Sequence, residues 1–229
     1  MIREMNTTEP IVYVVDDDPQ ACRAVAELVH SFGHQVRSFE SPDAFLKSVD
    51  PDRPGCVVLD VRLPGLDGLE VHRQLVQQRI PLPAILLTTY ANTGMTVRSL
   101  RDGAVSVLDK PYRDDELWNC VHEAIARSQL EHRRNAYQRS LEDRLKKLSP
   151  QDRSVLKLML AGVKNRTIAK RLEVSLRTVE NRRRRVFDVM QADSVAQLTR
   201  MIVEYEHKLL PAEELQDAWM SLPFDRVAV

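Results

Sequence analysis

The stretch Cys56-Val57-Val58-Leu59-Asp60-Val61-Arg62-Leu63-Pro64-Gly65-Leu66-Asp67-Gly68 decides the fold. Four apolar residues bounded by Pro54-Gly55 and Pro64-Gly65 predict a short buried strand that closes on a carboxylate, Asp60. In an open parallel sheet, ligands gather beyond the carboxyl ends of the strands, so an Asp there is placed for chemistry and badly placed for packing. Strand-ending Asp residues also start ordinary turns. The weight therefore rests on what else reaches the same edge.

Upstream, Ile11-Val12-Tyr13-Val14-Val15 stops abruptly at Asp16-Asp17-Asp18-Pro19, a strand giving way to a turn and a helix with an early Pro. The predicted helix puts Cys22, Val25, Val29 and Phe32 on one face and ends at Gly33. The alternation then repeats, with a strand over 34–39, a helix opened by Ser41-Pro42, the central strand, a helix over 69–78, a strand over 84–88, a helix over 96–103 and a strand over 104–108. Five such alternations predict an α/β fold, a doubly wound five-stranded parallel sheet covered on both faces by right-handed crossovers. From Asp114 a long helix begins.

Composition allows a second domain. The 229 residues carry 33 Lys+Arg and 33 Asp+Glu, but residues 1–128 hold 13 basic against 19 acidic side chains and residues 129–229 hold 20 against 14. An acidic half followed by a basic half suggests a polyanion partner for the second. Cys22, Cys56 and Cys120 show no paired spacing, which fits a reducing cytoplasm. No apolar run approaches a membrane span and the start has no signal-peptide core.

Asp16 and Asp17 follow the first strand, Asp60 ends the third, Thr88 the fourth, and Lys110 follows the fifth. Clustered carboxylates repel by roughly 4 kcal/mol per close pair at an effective dielectric near 20, so they need a cation or protons. Oxygen-only donors favour Mg²⁺, or Mn²⁺ in its place, shared with a phosphoryl group whose oxygens Thr88 and Lys110 would meet.

Val14-Val15-Asp16-Asp17-Asp18-Pro19, Val58 to Gly68, Leu86-Leu87-Thr88-Thr89 and Leu108-Asp109-Lys110-Pro111, in that order, resemble a two-component receiver domain over about residues 10–128. The resemblance implies a flavodoxin-like sheet of order 2-1-3-4-5, with Asp60 accepting a phosphoryl group from the phosphohistidine of a sensor histidine kinase. It implies Mg²⁺ held by Asp17, Asp60 and the main-chain carbonyl of Arg62, with Asp16 acting through water. Thr88 and Lys110 become the phosphoryl-binding and switch residues, and the Lys110–Pro111 bond becomes cis. The chain departs from the pattern at Val107, where receivers usually carry Phe or Tyr, and at Thr89-Tyr90, where small residues are usual.

Residues 129–147 contain no Gly or Pro, and Leu141, Leu145 and Leu148 make one narrow stripe, predicting a helical linker that pairs with a second copy or serves as a tether. Ser149-Pro150 then opens a helix with Val155, Leu156, Met159 and Leu160 inward. A short helix around Ile168, Ala169 and Leu172, a turn at Glu173-Val174-Ser175, a third helix over 176–190 and a fourth from Asp193-Ser194 predict a small all-α, four-helix helix-turn-helix domain over 148–208.

At about 100° per residue, Val179, Val186 and Met190 of the third helix face the core and Arg177, Asn181, Arg184 and Asp188 point the opposite way. Arg can fork onto guanine and Asn onto adenine. Arg182, Arg183 and Arg185 fall on the flanks, where they would meet phosphates, and Lys164, Arg166 and Lys170 could extend that contact. Thr178 and Glu180 complete the predicted DNA-binding set.

Leu148-Ser149-Pro150-Gln151-Asp152-Arg153-Ser154-Val155-Leu156 and the run Asn165 to Arg182 resemble the LuxR/FixJ-type DNA-binding domain. Glu173 stands where that family often has Gly, and Arg182 and Arg184 replace its more usual His and small residue. The tail 209–229, with Leu215, Trp219 and Leu222 at helical spacing, lies beyond the family domain.

Together the halves predict a cytoplasmic response regulator, not an enzyme beyond handling its own phosphoryl group. Its expected partners are a sensor kinase, double-stranded DNA, RNA polymerase and a second copy of itself. One rival keeps the DNA binding and drops the phosphoswitch, motivated by Val107. Another, a Mg²⁺-dependent phosphatase with an Asp nucleophile, finds no Asp-x-Asp-x-Thr/Val loop and no cap domain. Dinucleotide binding lacks a Gly-rich turn after Val15.

Overall fold

The computed structural model describes residues 9–89 and 104–207, so the expected helix over 96–103, Tyr90 and the tail 209–229 lie outside the described residues. The chain divides into two compact units between His132 and Arg133. Among the described residues no helix is long and apolar enough to cross a membrane.

The first unit is built on β1 (Ile11–Val15), β2 (Gln35–Phe39), β3 (Gly55–Asp60), β4 (Ala84–Thr88) and β5 (Ser106–Asp109), all parallel, in the order β2-β1-β3-β4-β5. β1, β3 and β4 are buried along their whole length, as β-branched runs covered on both faces should be. Helices α1 (Pro19–Ser31), α2 (Pro42–Ser48), α3 (Gly68–Gln77) and the first turns of α4 (Asp114–Lys146) cover the sheet. Tyr13, Phe45, Leu59, Val71, Leu75 and Leu86 pack on one face of the sheet. On the other, Val14, Val25, Val58 and Leu87 meet Leu117, Val121 and Ala124 of α4.

Local chemistry sets where the helices start. Asp18 caps α1 by accepting from the Gln20 N–H at 2.8 Å, and Asp67 caps α3 by accepting from the Glu70 N–H at 2.7 Å. Gly68 opens α3 directly against the backbone of Asp60; a Cβ there would collide with the Asp60 carbonyl oxygen. The strand order reverses between β1 and β3, so the crevice beyond their carboxyl ends lies between Asp16 and Asp60.

Phe32 departs from expectation. It leaves the buried face of α1, is 41% exposed, and stacks on Trp118 with ring centroids 4.0 Å apart. Gly33, one residue on, takes the left-handed φ of 83° that turns the chain into β2, and Phe32 is carried outward with that turn.

The second unit comprises the last turns of α4 with α5 (Pro150–Leu160), α6 (Asn165–Arg171), α7 (Leu176–Met190) and α8 (Val195–Glu206). Val155, Met159, Ile168, Val179, Val186, Met190 and Leu198 form its core. The stretch expected as a linker is helical, but its leucine stripe is not left for a second copy. Leu141 is 1% exposed and belongs to this same core. Polar contacts add to the attachment: Tyr137 donates to Glu204 at 2.6 Å, Gln138 to the Glu204 carbonyl at 3.0 Å, and Arg144 to the Met190 carbonyl at 3.0 Å. The last satisfies an orphan carbonyl at the end of α7 with a cation, which also suits the helix dipole.

Leu141→Ala in the full chain is expected to lower the stability of the second unit by about 2–5 kcal/mol while leaving the first unchanged. Chemical denaturation followed by probes in each unit reads this. A free linker would show no change in either transition.

Candidate functional site

Two places hold the residues singled out by their chemistry, one in each unit. In the first unit, Asp16 leaves β1 and Asp60 closes β3; both are buried. Asp16 accepts the Asp18 N–H on Oδ1 at 3.0 Å and the Lys110 ammonium on Oδ2 at 2.7 Å. Asp60 accepts the same ammonium on Oδ1 at 2.5 Å and the Arg62 N–H on Oδ2 at 2.6 Å. One nitrogen thus holds two carboxylates that would otherwise repel. Burial alone would depress the Lys110 ammonium, but its hydrogen bonds to Asp16 and Asp60, with their charges, hold it above its ordinary value.

Lys110 reaches the pair because β4 and β5 are in register, with Thr88 opposite Asp109, and because its own N–H donates to the Thr88 carbonyl at 2.7 Å. The Lys110–Pro111 peptide is cis. Thr88 is buried at the last position of β4. Asp17 and Arg62 are exposed at the lip. The structure therefore joins Asp16, Asp60 and Lys110 side chain to side chain, ties Thr88 to them through its backbone, and leaves Asp17 at the surface.

Among the described residues no three His, Cys, Asp or Glu side chains form a group that could hold a metal ion. The chemistry of the donors nevertheless suits a hard cation: two carboxylates converging on one positive centre, with a third carboxylate at the lip.

Two further side chains belong to this neighbourhood. Tyr112 is half-buried; burial raises its phenol, and the Lys110 charge works against that rise. Its only signal in the sequence is its place two residues after Lys110. Cys22 directs its thiol to the Asp16 carbonyl at 3.4 Å, and burial pushes that thiol up. A helical face of apolar residues could not have told it from a core cysteine.

In the second unit, α6 and α7 are joined by a turn in which Glu173 takes φ 53°. That is the left-handed conformation that Gly adopts most freely, and it costs a side-chain-bearing residue about 1–2 kcal/mol. Ser175 caps α7, accepting from the Thr178 N–H at 3.0 Å and sharing a hydroxyl hydrogen bond with Thr178 at 2.8 Å. Val179, Val186 and Met190 are buried; Arg177, Glu180, Asn181 and Arg184 are exposed on the opposite side, and Lys164, Arg166 and Lys170 are exposed in and before α6.

Arg182 and Arg185, expected on the flanks of the DNA-binding helix, each have an acidic partner within the unit. Both turn onto Asp152 of α5, Arg182 at 3.0 Å and Arg185 at 3.3 Å. The physical reason is burial: the Asp152 carboxylate is 2% exposed and an unpaired charge there would be costly. Arg183 lies over the Phe187 ring, 5.8 Å from its centroid.

Comparison with known proteins places both halves. Residues 12–122 match the family described as response regulator receiver domain, and residues 146–202 match bacterial regulatory proteins, luxR family. The chain is 35% identical to the transcriptional regulatory protein FixJ of Bradyrhizobium diazoefficiens, over 85% of this chain and 95% of that protein. It is 38% identical to nodulation protein W of the same organism, over 85% of this chain and 86% of that protein. Among solved structures, the response regulator StyR superposes with a TM-score of 0.82 at 29% identity, covering 86% of this chain and all of that one.

Lys110→Met leaves Asp16 and Asp60 facing each other without a cation, and is expected to cost the first unit about 3 kcal/mol in the presence of a chelator. Millimolar Mg²⁺ should recover part of that loss in the variant. Thermal unfolding with and without the ion checks both, and equal midpoints for the two proteins in chelator would contradict the role given to the ammonium.

Proposed function

The chain belongs to the two-component response regulators that carry a receiver domain and a LuxR-type DNA-binding domain, and from that premise we propose that phosphorylation of Asp60 by a sensor histidine kinase controls how α7 engages DNA. The observation that carries this is the Lys110 ammonium shared by Asp16 and Asp60 at the crossing of the sheet. We assign the receiver to residues 1–128 and the DNA-binding domain to residues 148–208, with the end of α4 attached to the latter.

Asp60 is the nucleophile. Its ion pair with Lys110 holds one carboxylate oxygen, and the Arg62 N–H fixes the second. An oxygen of Asp60 attacks phosphorus, the bond from phosphorus to the kinase imidazole breaks, and the imidazole leaves with its electron pair. The phosphoryl oxygens then compete with Asp16 and Asp60 for the Lys110 ammonium, and the Thr88 hydroxyl is the neighbouring donor. Receivers generally bind Mg²⁺, and here Asp17, Asp60 and the Arg62 carbonyl would hold it, with Asp16 through water. When bound, the ion neutralises charge on the oxygens in transfer. The receiver thus handles its own phosphoryl group without being an enzyme on other substrates. The setting is the cytoplasm, where the kinase's phosphohistidine and DNA are both accessible.

On the DNA, Arg177, Asn181 and Arg184 read base edges from the exposed face of α7, flanked by Thr178 and Glu180, while Lys164, Arg166 and Lys170 meet phosphates. Two copies on one duplex, and contact with RNA polymerase, complete the proposed action. A second reading has one observation in its favour. Val107, opposite Leu86 and half-buried against the Tyr13 face, supplies no ring to report the state of Thr88. In that reading DNA binding ignores phosphorylation.

Treated with a small-molecule phosphodonor and Mg²⁺, the wild-type chain should gain the mass of one phosphoryl group and Asp60→Asn none. DNA affinity of the wild type should then rise by about 5–150-fold, the usual span of coupling between two sites. Phosphorylation without change in affinity or oligomeric state favours the second reading, and no incorporation removes Asp60 from its role.

Truncating a base-reading side chain has a different signature from truncating a phosphate contact. Arg184→Ala should cost about 1–3 kcal/mol and relax preference at one base position, whereas Lys170→Ala should weaken all duplexes alike and flatten the salt dependence by about 0.9. Binding to a library of single-base operator variants at several salt concentrations distinguishes the two, and equal losses for every variant with Arg184→Ala would move that residue to the phosphates.

A further inference from the structure

The proposal concerns how α7 is held, and it rests on the reading of α7 as the helix that engages DNA. Asp152 is the third residue of α5 and is buried. Its Oδ2 accepts the Ser149 hydroxyl at 2.6 Å and the Ser149 N–H at 3.3 Å, while its own N–H donates back to Ser149 at 3.2 Å. This capping box alone would satisfy one end of a helix. The same carboxylate also takes Arg182 on Oδ1 at 3.0 Å and Arg185 on Oδ2 at 3.3 Å.

Arg182 and Arg185 are three residues apart and therefore neighbours on one flank of α7. At about 100° per residue, that flank is turned roughly a quarter to a third of a circle from Arg177, Asn181 and Arg184. Two attachments to one buried point fix the rotation of α7 about its own axis. A slip by one residue would carry Asn181 and Arg184 off the exposed face and break both pairs. Burial on its own would raise the Asp152 carboxyl; the hydrogen bonds from Ser149 and Arg182, with the Arg182 charge, hold it below the ordinary carboxylate range.

The four consecutive arginines at 182–185 are consequently not equivalent. Arg184 is exposed on the face read as meeting DNA, Arg183 lies over Phe187, Arg182 is half-buried on Asp152, and Arg185 reaches Asp152 from the surface with 63% of its side chain exposed. Releasing either of those two to a phosphate would leave a buried carboxylate short of a partner.

We infer that Asp152 is a positioning and specificity-determining residue for DNA recognition: it sets the rotation of α7 through Arg182 and Arg185 and withholds both cations from sequence-independent phosphate contact. Its effect is to favour the chosen duplex over the rest by suppressing binding to the rest.

The test uses the full chain, the duplex that the wild type selects from a random-sequence library, and a scrambled duplex of the same composition, with affinity measured across salt. Each phosphate contact contributes a slope of about 0.9, or about 3.5-fold in affinity between about 50 and 200 mM salt. Arg182→Gln should leave the slope on the scrambled duplex unchanged and lower the ratio of selected to scrambled affinity, while Arg182→Lys keeps more of that ratio. Asp152→Asn, which retains an acceptor for the cap, should steepen the slope on the scrambled duplex by about 0.9–1.8 and shrink the ratio further.

A slope that falls by about 0.9 in Arg182→Gln, or a ratio that does not move, overturns the inference. If Asp152→Asn fails to fold, Arg182→Gln decides it. A wild type that selects no duplex in either phosphorylation state overturns the reading of α7 itself, and this inference with it.

Discussion

A single ammonium between two buried carboxylates is the constraint on which the first unit turns. Asp16 and Asp60 arrive from β1 and β3, strands that must pair side by side because both are apolar on both faces. The pairing that buries their valines also brings two acids into one crevice. Lys110 comes from the far edge of the sheet, carried by the register of β5 on β4, and closes the cluster. The core and the charged rim are two results of one strand order. The rim sets one cation against two anions and so keeps a net negative charge.

The second unit repeats the logic with different residues. Asp152 is buried at the start of α5, and burial obliges it to recruit partners. It takes a serine from its own cap and two arginines from α7. A helix that looks in isolation like a uniform basic rod is thereby given an inner flank and an outer face. Glu173, in the turn between α6 and α7, adopts a left-handed φ of 53° that is costly for a residue with a side chain.

α4 belongs to both units. Its first turns complete the second apolar layer of the sheet, and its last turns bury Leu141 and bind the ends of α7 and α8.

Much of this was legible in the chain alone. Alternating β-branched runs and helical faces specify five strands and their covering helices, because burial on two faces and burial on one leave different periods in sequence. The acids and the lysine could be assigned to one rim because parallel strands all end on the same side. The buried face of α7 followed from the spacing of Val179, Val186 and Met190. Periodicity says which side of an element faces inward; it is silent on which partner waits there. Tertiary structure alone decided that Lys110 bridges Asp16 and Asp60, that Leu141 joins the second core, that Phe32 turns out to Trp118, and that Arg182 and Arg185 close on Asp152. Each of these is a contact between residues distant in the chain, set by the three-dimensional need to match a buried charge or fill a buried volume, and no local pattern encodes that need.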